Sequence, residues 1–501
     1  MTDLQEPSSS RTPIVLAIAI FAGLSLAAAI TSEGFLEADA CTHYLYARFA
    51  FDQPHFFFNI WGRPICTALY SIPAVIGGRL GVRVTSLLLA IGCGLVVYRI
   101  ARNQGYRWPA VALIFTFAQP LVFLHSFSEL TELPFALLLG LGFLAFQQGR
   151  WLAMAILIGL TPLSRPEGFG FLILALAAVA IYRRWWAIPI LLIPLIGWSF
   201  FGWLTHGSQG DWWKWLIDNW PWSDQSAYKP GPIWHFAMFL PVFAGPIAFP
   251  FMLIGVGRTC MDKGGRKKDE IEPSSSSFIS HPSYFVCRLL ILAIPLMIFV
   301  AHSLLYFLGK LASNGELRYM LIVAPFWGLL SAGGWEWVFT RTNWSGVYRW
   351  AGVVALAPAL ANPYYRVVPI RWDADSLNAR RTVEWYEHSP LARAFPRVAT
   401  AHQMVYYFMG MINTDRDRAL QWDRDHLGSP VAGTIVFWDP IYAVYNSDGR
   451  RIVPIDDLLV AGWLDITGRV PATGKGWHVL LSPTDAQGRD ATETLRSLSS
   501  P

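Results

Sequence analysis

Charge is scarce in this 501-residue chain: Asp, Glu, Lys and Arg make up 15% of it, where a soluble globule carries about a quarter. That shortage, with 54% hydrophobic residues and a mean hydropathy of +0.37, excludes an ordinary soluble domain. Cysteine is scarce too. The five, at 41, 66, 93, 260 and 287, show no CxxC and no metal-type spacing, which argues against a disulfide framework and a zinc site. No internal repeat is visible, and a net charge of +5 is too mild to point to nucleic acid. The first apolar run, PIVLAIAIFAGLSLAAAI (13–30), lacks any charge and any small-x-small cleavage site. It is long for a signal-peptide core and reads as a retained span.

What is abundant is apolar sequence, in blocks near the ~20 residues a bilayer helix needs. The blocks fall near 13–30, 80–100, 108–126, 130–147, 151–164, 168–183, 186–205, 233–256, 284–308, 318–338 and 349–363, predicting a polytopic α-helical membrane protein of about eleven spans. The 24 Trp suit interfacial belts. Orientation follows from short basic loops. Arg99, Arg102, Arg107, Arg150, Arg183, Arg184, the stretch GRTCMDKGGRKKDE (257–270), Arg341 and Arg349 fall on one side, which is then cytoplasmic. Arg79 and Arg83 sit near the opposite interface and do not help. That opposite side collects acids: Glu33, Glu37, Asp39, Asp52, Glu129, Glu132, Glu167, Asp211, Asp218, Asp224 and Glu316.

The expected organisation is a cytoplasmic N-terminus (1–12), a membrane module (13–363) and a soluble outer part (364–501). Within the module lie a first outer loop (31–79) and a cytoplasmic linker (257–283). GTIVFWDP (433–440) and WHVLLSP (477–483) read as buried strands and RTVEWYEHSPLARAF (381–395) as a helix, giving a small α/β domain.

The stretch EGFLEADACTHY (33–44) crowds acids at the exit of the first span. A transferase that joins a sugar to a hydroxyl needs a carboxylate to accept the hydroxyl proton, though solvation of a loop explains a single acid as well. The loop is long and aromatic, with THYLYARFAF (42–51) and HFFFNIWGRP (55–64), and long ordered loops are usually functional. In LSRPEG (163–168), Ser164 and Glu167 form a capping box and Pro166 suits a first turn. Arg165 there opposes the helix dipole, and an anionic phosphate is one reason for it. In ELRY (316–319), Arg318 snorkels, pairs with Glu316, or holds a phosphate. Glu129 and Glu132 lie one helical turn apart at a span start, serving the dipole or a ligand. In the outer part, His402, Trp438 and Asp439 are contacts or strand-edge packing.

In their order and shared side, these segments resemble the GT-C superfamily of integral-membrane glycosyltransferases, above all its mannosyltransferase-like branch. Asp39, with Tyr44 behind it, matches the acid of the family's first outer loop, and Glu37 is the second choice. SRPEG (164–168) resembles the Arg-Pro-Glu-Gly segment, GELRYMLIVAP (315–325) the Glu-x-Arg-aromatic segment, and SELTELPFALLL (128–139) the acid leading into a span. Two departures stand out: Ser313, Asn314 and Gly315 replace the His-Lys common before Glu-x-Arg, and Glu37-Ala-Asp39 replaces an acidic doublet.

The resemblance covers roughly 13–330. It implies inverting transfer of a mannose-like hexose from a polyprenyl-phosphate-linked donor to a glycan, lipid or protein acceptor. The site would face outward from the plasma (inner) membrane. Asp39 or Glu37 would be the base and Arg165 and Arg318 would meet the donor phosphate. Glu129, Glu132, Glu167, Glu316, His43, Tyr44 and Arg63 would bind substrate. A divalent ion (Mn or Mg) held by loop acids is left open. A transporter or flippase of a lipid-linked glycan is the rival class, disfavoured by the lack of paired repeats. A non-catalytic assembly subunit of the same fold is the other.

Overall fold

A computed structural model describes residues 12–206, 229–261, 284–310, 313–341, 368–444, 451–470 and 476–498. The expected span at 349–363, most of the Trp-rich 206–232 loop and most of the 257–283 linker lie outside the described residues.

The chain is a polytopic α-helical membrane protein with a small four-stranded sheet near its C-terminus. Five helical stretches are long and apolar enough to cross a bilayer: Thr12–Thr31, Pro64–Asn103, Ala187–Thr205, Tyr284–Leu308 and Leu317–Thr340. Four shorter apolar ones, Glu132–Gln147, Trp151–Ser164, Gly168–Ile181 and Ala248–Met261, pack among them. Large apolar side chains such as Val15, Ile30, Leu88 and Ile173 point outward, as a lipid solvent requires.

Three apolar blocks that read as unbroken are broken, each at proline or glycine. The 108–126 block divides into Pro109–Phe117 and Pro120–His125. The 151–164 block divides into Trp151–Gly159 and Thr161–Ser164. The 233–256 block becomes His235–Met238, Leu240–Ala244 and Ala248–Met261. Proline removes an amide donor and clashes with the preceding turn. Gly245 adopts φ +86°, and a Cβ there would stand 2.8 Å from the Ala118 carbonyl oxygen.

The first loop decides where the site lies. Helix α1 (Thr12–Thr31) ends at the loop, α2 (Ala38–Phe49) lies within it, and α3 (Pro64–Asn103) runs out of it. α3 is 40 residues long and bends at Gly78, whose φ of 56° and ψ of −146° suit glycine alone. The last third of the expected loop is therefore helix, continuous with the second span.

The C-terminal part holds β1 (Arg397–Thr400), β2 (Thr434–Trp438), β3 (Leu464–Asp465) and β4 (His478–Leu481), in the order β1-β2-β4-β3. β1 and β2 are parallel and the other pairs antiparallel. The expected helix at 381–395 is Ala374–His388 followed by Leu391–Ala394, because Pro390 ends the first. This part seats on the first loop through a shared core. Phe35 and Tyr407 meet edge to face at 5.0 Å, and the Arg79 guanidinium lies 4.7 Å from the Phe35 ring and 5.1 Å from Trp372. Gly34 donates its N–H to the Ile370 carbonyl at 3.0 Å.

A Cβ on Gly34 would stand 2.5 Å from the Arg371 carbonyl oxygen, whereas one on Gly23 meets nothing within 4 Å. Gly34→Ala is therefore expected to destabilise the joint by about 1–3 kcal/mol. Gly23→Ala should leave the Tm in nanodiscs unchanged or raised; equal melting curves for the two variants would refute the joint.

Candidate active site

α2 begins at Ala38, so Asp39 sits in its first turn, where the helix dipole favours an acid. Arg318 opens the apolar stretch Leu317–Thr340 and reaches back to α2. Its Nη2 donates to Asp39 Oδ2 at 2.5 Å, its Nη1 lies 3.0 Å from Glu37 Oε2, and its Nε lies 3.8 Å from Glu132 Oε1. Glu132, wholly buried, is shared: Arg165 Nη1 donates to the same Oε1 at 2.5 Å. Arg165 also donates to Thr131 Oγ1 at 3.2 Å and to Glu167 at 2.9 Å. Glu167 in turn lies 3.5 Å from His302, whose ring stacks on Tyr319 at 4.7 Å.

Six residues picked from separate stretches thus form one ion cluster: Glu37, Asp39, Glu132, Arg165, Glu167 and Arg318. Two more border it. His43, stacked on Trp61 at 4.9 Å, is buried with no partner at Nδ1. Arg63 stands close enough for its charge to act on Asp39 and His43, in a left-handed backbone (φ 60°) that a non-glycine residue holds only under constraint.

Three expected contacts lie elsewhere. Glu129 turns to Arg83 at 2.9 Å, because 129–131 is not helical and the two acids do not share a helix face. Tyr44 faces Tyr407 at 5.9 Å, in the joint with the C-terminal part. Glu316 accepts from Asn314 Nδ2 at 2.8 Å rather than pairing with Arg318. The expected capping box is also absent: Glu167 makes no cap bond to its helix because Arg165 holds its carboxylate, and Ser164 Oγ lies against Cys66 Sγ at 3.6 Å.

Sequence reading passed over His302, Thr131 and Arg83. His302 is a buried ionisable residue in an apolar run, a rarity that flags function. Arg83, 2% exposed, donates to Glu129 and to the carbonyls of Ala29 (3.0 Å), Ser32 (2.6 Å) and Gly34 (2.5 Å). It clamps the exit of α1, five residues before Asp39.

The electrostatics separate the two loop acids. Burial pushes the Glu37 carboxyl up to about 7, against the pull of Arg318. Burial alone would raise Asp39 as well, but the Arg318 guanidinium outweighs it and holds the carboxyl below its ordinary value. Burial holds His43 down to about 4, so its ring is neutral at physiological pH. The acids do not fit a divalent ion, because Arg318 stands between Glu37 and Asp39 where such an ion would sit. Among the described residues no three His, Cys, Asp or Glu side chains gather as metal ligands.

The architecture can be compared with known proteins. It is similar to a crystal structure of ArnT from Cupriavidus metallidurans bound to undecaprenyl phosphate, with a TM-score of 0.59 at 12% identity over 94% of this chain and 98% of that one. The chain has the GT-C fold. The apo structure of the same ArnT gives 0.58 at 11% identity over the same shares. No family model matches the chain, and no curated protein matches it. The likeness shows the fold alone and does not single out the mannosyltransferase-like branch.

Arg83→Met is expected to destabilise the protein by about 3–5 kcal/mol, since it strands the buried Glu129 charge. Adding Glu129→Gln should recover part of the lost Tm. A single variant that melts like the parent would remove the clamp.

Proposed function

We propose that the chain is a membrane glycosyltransferase that moves a sugar from a polyprenyl-phosphate-linked donor to an acceptor hydroxyl. The observation that carries this reading is the ion cluster: a loop carboxylate held by an arginine that opens an apolar stretch, in a fold whose ArnT counterpart was crystallised with undecaprenyl phosphate. Arg318 and Arg165 are the cations for the donor phosphate. Asp39 is the base.

The acceptor oxygen attacks the anomeric carbon from the face opposite the phosphate. Its bond to carbon forms as the carbon–oxygen bond to phosphate breaks, inverting the centre, and the hydroxyl proton passes to Asp39. The polyprenyl phosphate leaves with both electrons of the broken bond, its charge met by guanidinium groups already in place. Asp39, Glu37 and Arg63 belong to the first loop, Glu132, Arg165 and Glu167 to the next elements, and Arg318 to the last described apolar stretch. We assign the membrane module to 13–363 and the outer part to 364–501, with the site outside the inner membrane, on the distribution of basic loops. A mannose-like hexose is the sugar that the sequence motifs favour.

Asp39→Asn should cut turnover in nanodiscs by about 10²–10⁴-fold with donor binding retained. Release of polyprenyl phosphate would be followed over a panel of polyprenyl-phosphate sugars. Arg165→Ala should instead weaken donor binding. Wild-type turnover from Asp39→Asn would end the assignment of the base.

The cluster also makes donor binding pH-dependent. A carboxyl raised to about 7 is largely protonated below that value and ionised above it. Ionised Glu37 competes with the donor phosphate for Arg318, so the donor KM should rise several-fold from about pH 6 to about pH 8. Glu37→Gln should flatten the profile at the low-pH value. A wild-type KM constant across that range would contradict this role.

A further inference from the structure

His402 and Asp439 have no place in the ion cluster, yet they belong to a second polar group. His402 lines a cleft of about 60 Å³ between the first loop and the C-terminal part. One wall is Phe35, Leu36, Glu37 and Ala38, ending at the residue before Asp39; the other includes Trp372, Asp375, His402 and Tyr442. The His402 ring is 2% exposed, and its Nδ1 accepts from the Met404 N–H at 3.2 Å. That leaves Nε2 to donate to Asp375 Oδ2 at 2.9 Å, while Trp477 Nε1 donates to Oδ1 at 3.0 Å. Asp375 is thereby fixed through both oxygens and still borders the cleft, with a quarter of its side chain exposed. Tyr442 packs its ring 4.8 Å from His402, and its backbone N–H donates to the buried Asp439 at 2.6 Å. Trp438 takes no part: its Nε1 donates to the Val453 carbonyl and its ring packs on His478.

We propose that this cleft is the acceptor subsite and that it takes a neutral, polyhydroxylated sugar unit rather than an anionic one. The inference rests on the glycosyltransferase reading. Three carboxylates border the cleft (Glu37, Asp373, Asp375) against one guanidinium, Arg371, which already faces Glu33 at 3.3 Å. An anionic acceptor meets like charge there, whereas neutral hydroxyls can donate to the carboxylates and pair with the Tyr442 phenol. Trp372 and Tyr442 add flat apolar faces beside them, the other half of what a sugar ring presents. The charge of Asp39 is felt at the cleft wall. Burial raises the Tyr442 phenol, and the charges of Asp375, Asp373, Asp439 and Asp39 raise it further. A sugar seated between Asp375 and Glu37 lies against Ala38, the residue before Asp39.

The test is binding of maltotriose, cellotriose and mannotriose to the full chain in nanodiscs, by saturation-transfer NMR, beside the same trisaccharides oxidised to a terminal uronate. At least one neutral trisaccharide should bind, its uronate at least tenfold more weakly, and Asp375→Asn should lose at least tenfold. If Asp375→Asn melts early, Tyr442→Phe keeps the ring packing and should lose several-fold. The inference is overturned if no neutral trisaccharide binds, if a uronate binds as tightly, or if a variant with parental Tm binds like the parent. Turnover of the donor panel on the same samples keeps the two readings apart. Binding that depends on Asp375 without any donor turnover overturns the glycosyltransferase reading and leaves a sugar site. Donor turnover without trisaccharide binding does the reverse.

Discussion

One guanidinium, that of Arg318, joins parts of the chain 279 residues apart, from the last described apolar stretch to the first turn of α2. It also reaches Glu132 and, through it, Arg165 and Glu167. Around it stand four carboxylates (Glu37, Asp39, Glu132, Glu167) and two further guanidiniums (Arg63, Arg165). Buried ion pairs are weak devices for stability, since desolvation offsets most of their attraction. A fold that only needed to hold its helices together would fill this space with apolar side chains. Function is the better reason for so many charges in one place.

The Arg83 pair shows what a structural ion pair looks like by contrast. Four of its five N–H donors go to one carboxylate and three backbone carbonyls, leaving it little to offer a ligand. It holds the end of α1, where helical carbonyls lack partners of their own. Arg318, facing three acids in an unequal geometry, can exchange partners. The first arginine places the loop and the second works from where the loop is placed.

Much of this was legible in the sequence. Long apolar runs such as 13–30 and 284–308 became spans within a residue or two, because length and hydropathy are sums that need no context. The sequence reading put Asp39, Glu132, Arg165 and Arg318 on one expected side of the membrane, which is compatible with their convergence. Breaks within apolar blocks were hidden, because hydropathy averages over Pro120, Pro162 and Gly245 while backbone geometry does not. The parting of Glu129 from Glu132 was hidden too, since a three-residue spacing means one face only if the segment is helical. Arg83 was passed over because its partners are mostly backbone carbonyls, which carry no residue signature.

The pairing of Asp39 with Arg318 raises a difficulty whose resolution defines how the site works. A carboxylate held on a guanidinium is a poor base, since what lowers its proton affinity also lowers its ability to take a proton. Burial acts on Asp39 in the opposite direction and is outweighed chiefly by Arg318, with smaller help from His43 and Arg63. A donor phosphate that takes Arg318 for itself removes the main lowering influence and leaves the raising one. The carboxylate then gains proton affinity at the moment the donor is in place. Glu37, already raised by the same burial, can yield its share of Arg318 by taking up a proton. In the proposed reaction, one cation shared between base and donor thereby couples donor binding to activation of the base, and without a donor Asp39 remains tied to Arg318.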